Sequence, residues 1–215
     1  MNATRRSILS AAMATPLLAP FTGAAPDAAA STRLGTVSDA WAEVRWTPQT
    51  QALLDRYQAE VKPVAPARTV KDTRGRAIRF PVRSGEGDPS LADPRRAHGT
   101  GRLDGGITFR TPGVTVQAVD LESVLKDGQA TGKYLINGAD VGHGPVFRPG
   151  LDEGRLTTEN VPPGKPMKVR IEEVPLRPTQ ELLRQFTLAF GSPAFSEDTV
   201  LAHAAGEGVY TPPKK

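Results

Sequence analysis

The chain has 215 residues, 38% of them apolar, a formal net charge of +4 and no cysteine. That length supports one domain with a buried core behind a modest N-terminal extension. The missing thiols exclude cysteine catalysis, thiolate metal sites, redox exchange and the disulfide staples of many secreted folds.

Residues 1–30 read as an export address. Arg5 and Arg6 precede an apolar stretch from Ile8 to Phe21, and the small residues "TGAAPDAAAS" follow it. This is the three-part layout of a cleavable signal, and adjacent arginines before a weakly apolar run are similar to the twin-arginine type. The run falls short of the ~20 apolar residues that a permanent span needs. Ala28 and Ala30 place cleavage after Ala30, with a site near Ala24 as the second choice, and with no cysteine behind the run a lipid anchor is excluded. The expected product is secreted by the twin-arginine route, with no stable membrane anchor in its mature form.

Residues 31–67 read as an N-terminal extension with one short helix. A polar segment carries Trp41 and Trp46, and Thr47-Pro48 then opens a helix, since Thr caps free N–H groups and Pro suits the first helical position. Leu53, Leu54 and Tyr57 share one side of it, and "VKPVAPA" stops it.

From residue 68 to 215 the period is two. Ile78, Phe80 and Val82 alternate in "RAIRFPV", Ile107 and Phe109 in "GGITF", Val114, Val116 and Ala118 in "GVTVQAVDL", and Met167, Val169 and Ile171 in "MKVRIEE". Such alternation predicts strands with one buried and one wet face. With "ATGKYLING", "GPVFRPG" and "VLAHAAGEGVY" the set reaches about seven to nine strands, and the fold class predicted is mainly β, an antiparallel β-sandwich. "SGEGDPSLADPRRAHGTG" predicts a mobile loop at one end of the sheets. A late helix, "RPTQELLRQFTLAFG", has Thr179 or Arg177 before it, Glu181 in its first turn and Gly191 to close it. Its stripe of Leu182, Leu183, Phe186 and Phe190 predicts packing over an open end or flank of the sandwich.

Motifs with chemistry are scarce. The chain has no G-x-S-x-G elbow, no H-E-x-x-H and no phosphate-cradling loop. "HGTGRLDGG" follows no strand-to-helix pattern, so tight turns and a bulge account for it. His98, His143 and His203 have no local partner at zinc spacing, and His203 alternates in "LAHAAG" as a strand residue. Ser192 and Ser196 have no base at hand, and Glu172 and Glu173 point to opposite faces of a strand. The reading is therefore no catalytic residue, no metal and no enzyme.

Two constellations remain. Basic residues crowd the stretch from Arg68 to Arg102, which reads either as a solvated face and loop or as a surface for anionic wall polymers, with Arg95, Arg96 and Arg102 as its candidates. Without interleaved aromatics it is no nucleic-acid surface. Tyr134 and His143 flank a hairpin turn at Asn137-Gly138 and would face each other across it. A Tyr oxygen with a His partner can ligate haem iron; a core Tyr beside a loop His is the other reading.

The order "TPQTQALLDRY", "VKPVAPA", "IRFPV", "GRLDGGITF", "VTVQAVDLE", "PVFRPGL", "VRIEEVPL" and "LLRQFTLAFGSPAF" resembles a group of exported actinobacterial β-sandwich proteins of mostly unassigned function. The same strand pattern distantly resembles the HtaA-type haem-uptake domain. That resemblance implies a β-rich secreted module with Tyr134 and His143 at a haem site. The function expected from the whole sequence is a secreted, non-catalytic module, binding or structural at the cell envelope, with an anionic wall polymer or another envelope protein as partner. The alternative is a carrier of haem or of a small hydrophobic ligand.

Overall fold

A computed structural model describes residues 34–87, 99–125, 128–191 and 195–214, all within a unit spanning Arg33–Lys215. Arg5, Arg6, Arg95, Arg96, His98, Ser192 and the cleavage point lie outside the described residues.

The strands are β1 (Gly35–Trp46), β2 (Glu60–Val64), β3 (Arg68–Asp72), β4 (Gly75–Gly87), β5 (Gly99–Leu103), β6 (Gly106–Arg110), β7 (Thr115–Leu125), β8 (Ala130–Ile136), β9 (Ala139–Pro149), β10 (Arg155–Thr158), β11 (Met167–Pro178) and β12 (Ala202–Thr211). Helix α1 (Pro48–Arg56) follows β1, and α2 (Gln180–Phe190) follows β11. The mainly β expectation holds, with both helices in place. The sandwich does not. The order β7-β5-β4-β1-β12-β11-β9-β8 returns to β7 through the β7–β8 pairing, so eight antiparallel strands close into a barrel.

Bulges explain the difference. Asp39, Asp120 and Glu173 have φ of 48°, 51° and 57°, and each sits in a register break, between Ser38 and Trp41, Val119 and Glu122, and Ile171 and Val174. One extra residue bends a strand, increases its twist and resets which side chains face inward. Leu121 is therefore buried after Ala118, and Val174 and Leu176 after Ile171. Strands bent in this way curl into a closed wall instead of lying in two sheets.

Residues 35–46, placed in the extension by sequence, form β1, which is hydrogen-bonded to both β12 and β4. In α1, Thr47 accepts a hydrogen bond from the Thr50 N–H and Leu54 is buried, whereas Tyr57 stays 40% exposed instead of sharing its side. Thr179 caps α2 by accepting from the Leu182 N–H at 3.2 Å. Phe186 of α2 lies 5.3 Å from Phe109, whose ring in turn lies 5.4 Å from Trp46. This aromatic cluster belongs to the larger apolar core. A second cluster gathers Val37, Met167 and Val169 around Tyr210.

Candidate functional site

The interior of the barrel is filled unevenly, and the register shows why. Successive inward rows across β1, β12 and β11 are Trp46–Ala202–Leu176, Val44–Ala204–Val174, Ala42–Gly206–Ile171 and, at the far end, Val37–Tyr210–Met167, with Gly208 beside Val169 before the last. Large side chains occupy the outer rows; β12 contributes only Ala and Gly between them. On the opposite wall Val37 leads to Gly85, Gly101 and Ser123, paired in register across β4, β5 and β7. The result is a cavity of about 290 Å³, bordered elsewhere by Phe80, Ile107, Leu121 and Phe147. Aliphatic and aromatic walls of this kind favour an apolar occupant.

The outward face carries the charge. Glu43 is 4% exposed, and its carboxylate accepts from Arg45 at 2.7 Å and from Arg79 at 2.9 and 3.2 Å. The Arg79 guanidinium stacks 4.2 Å over the Trp41 ring, and Arg45 also reaches Asp72 at 2.9 Å. Members of the basic stretch thus have acidic partners: Arg83 donates to Asp104 at 2.6 Å, and Arg102, the one described member of the three candidate arginines, lies 3.5 Å from Glu122.

The β8–β9 hairpin turns at Asn137-Gly138 as expected, with φ of 50° and 83°, the pair that a tight two-residue turn needs. Its register separates the candidate ligands. Tyr134 pairs with Gly142, while His143 pairs with Lys133. Adjacent residues of a strand face opposite ways, so Tyr134 is buried at 1% exposure while His143 is exposed. The Tyr134 hydroxyl donates to the Pro145 carbonyl at 2.9 Å. Burial pushes its phenol well above the ordinary range, the Glu181 charge adds to that and Arg184 opposes it. Tyr134 and His143 therefore sit on opposite faces of the hairpin and do not converge on one iron.

Ser196, Asp198 and His203 line one shallow hollow with Thr47 and Gln49. The Ser196 hydroxyl is 3.3 Å from that of Thr199.

The C-terminal domain of HtaA from Corynebacterium glutamicum superposes with a TM-score of 0.52 at 15% identity, covering 82% of this chain and 99% of that domain. The chain has the fold of an HtaA-type domain. No family profile and no curated protein sequence matches it. At this identity the likeness to HtaA carries fold alone, because sites are grafted onto folds.

The cavity residues went unseen in the sequence because glycine and alanine in a strand leave no apolar run. The signal was present as an excess of small residues in "AHAAGEG" and "GTGRL", short runs that an ordinary strand would fill with Val or Ile.

Proposed function

We propose that this protein is a non-catalytic binding module that carries a small apolar molecule inside its barrel. The observation that carries the reading is the cavity of about 290 Å³ between the aromatic cluster and Tyr210, walled mostly by aliphatic and aromatic side chains. A dry apolar cavity of ~150 Å³ holds one benzene ring, so this space suits an occupant of roughly two rings. The export-like segment at residues 1–30 sets the proposed compartment outside the cytoplasmic membrane, where a cysteine-free barrel needs no redox chemistry. Envelope partners that recognise Arg95, Arg96 and Arg102 belong to the same proposal.

The test is a thermal-shift panel of neutral apolar compounds, benzene to decanol, on the full chain, with haemin as counter-probe. A ligand at 100 times its Kd stabilises by about 2.7 kcal/mol, or roughly 5–10 °C in a protein of this size. A panel in which no compound moves the Tm by more than about 1 °C refutes interior binding. A saturable haemin band that survives Tyr134→Phe would instead show a haem site that does not use Tyr134.

A further inference from the structure

Resting on that reading, we propose that Gly101 is the size-determining residue of the interior site, and that the site takes a flat, uncharged molecule of about two fused rings. Gly101 stands in the middle of β5, between Gly85 of β4 and Ser123 of β7, in register with both. All three border the cavity.

Glycine weakens a strand interior, through lost chain entropy and a missing side chain, so its presence needs a reason. Crowding supplies one elsewhere. A Cβ on Gly208 would stand 2.7 Å from the Ala40 Cβ, one on Gly106 would overlap the Ala118 carbonyl oxygen, and one on Gly35 would stand 2.5 Å from the Tyr210 ring. Gly85 is tight as well, at 3.0 Å from Val37. Backbone conformation supplies another, as at Gly138 with φ of 83° in the β8–β9 turn. Neither applies at Gly101. It is not among the glycines with positive φ, and the nearest atom to a Cβ there is the Ser84 carbonyl oxygen at 3.8 Å. The fold would accept a side chain at this position; the cavity would lose volume to it.

The same row defines the ligand's shape. Two strand spacings of ~4.8 Å separate β4 from β7 across β5. The Gly85–Gly101–Ser123 strip is therefore a low platform about 10 Å wide, onto which a flat ring system can lie. Ser123 precedes no bulge and follows Leu121 by two residues, so it shares the inward face with that buried side chain. Its hydroxyl is the polar side-chain group of a strip that is otherwise glycine, and of the acidic residues at the cavity border Glu43, Glu122 and Glu207 already pair with Arg79, Arg102 and Lys168. A carboxylate or ammonium group buried there would go unpaired, which selects for neutral molecules.

The experiment titrates the full chain with 2-naphthol, followed by its fluorescence, for the parent, Gly101→Val and the control Gly113→Ala. Gly113 has open space around its Cβ position and does not border the cavity. Expected are saturable one-to-one binding by the parent, unchanged binding by the control, and at least tenfold weaker binding by Gly101→Val with an equal or higher Tm. Equal affinity in Gly101→Val overturns the size-determining role and leaves the carrier reading intact. A lower Tm in Gly101→Val also overturns it, because the fold would then need that glycine. Absence of saturable binding by the parent, with the neutral panel equally silent, removes the carrier reading itself. Binding of the parent to decanol but not to 2-naphthol overturns the flat-ligand class while sparing the cavity.

Discussion

Replacing Glu43 by Gln tests the outward ion cluster most directly. The carboxylate accepts three short hydrogen bonds from Arg45 and Arg79, and its side chain is only 5% exposed. Breaking a fully buried ion pair by removing one partner costs ~3–5 kcal/mol, most of it the stranded charge left behind. Two facts lower the figure here. Arg79 is 32% exposed and keeps its stacking on Trp41, and Arg45 keeps Asp72. A loss of about 2 kcal/mol is expected, equivalent to a Tm lower by roughly 4–8 °C. Urea denaturation of Glu43→Gln measures it, beside Glu122→Gln, whose side chain is 36% exposed and whose Arg102 partner sits 3.5 Å away. That exposed pair should change stability by no more than about 0.5 kcal/mol. Equal losses for the two variants would refute the claim that burial, and not charge count, makes Glu43 matter.

Two further outcomes are expected. Tyr134→Phe removes one hydrogen bond to the Pro145 carbonyl, but that oxygen still accepts from the Thr179 hydroxyl at 2.6 Å; the loss in urea should be about 1 kcal/mol, and one above about 3 kcal/mol would show a role that this bond does not explain. Hydrogen bonds from Arg184, Arg177 and Lys168 hold the carboxyls of Glu181, Glu153 and Glu207 below their ordinary value of 4.5. A depressed folded pKa gives stability that is complete above the unfolded value and is lost as pH falls through the folded one, so Tm should be level down to about pH 5.5 and fall below about pH 5. Because Glu153 is exposed and Glu181 and Glu207 are only partly buried, 1 M salt should shrink the fall; a Tm that rises on acidification would contradict the assigned pairs.

What could be read from the sequence followed from local physics. Alternation in "GGITF" and "MKVRIEE" placed Ile107, Phe109, Met167, Val169 and Ile171 on strands, and the caps of both helices stand where Thr47 and Thr179 predict. Closure was not legible, because it depends on three acidic residues at positive φ, and a left-handed Asp or Glu looks like any other polar residue in a strand. Nor was the separation of Tyr134 from His143. A bulge in the β8–β9 hairpin, between Tyr134 and Leu135, puts Gly142 opposite Tyr134, and register of that kind depends on the turn and bulge together.

The interior void is a choice of residues and not of strand number. An eight-stranded barrel has an interior just wide enough for side chains to fill, and the rows at Trp46–Ala202–Leu176 and Val37–Tyr210–Met167 bring large side chains to both ends. Counted as unfilled core at ~24 cal/mol per Å³, a cavity of 290 Å³ corresponds to about 7 kcal/mol of forgone packing. That is an upper figure, since part of the space opens to solvent, yet it rivals the ~5–15 kcal/mol net stability of a whole domain. A chain without disulfides gains nothing structural from such a deficit, and Val at Gly101 would reduce it without crowding the backbone. An occupant that fills the space recovers the missing contacts, and a module selected to hold one keeps its small residues in the middle rows and its large ones at the ends.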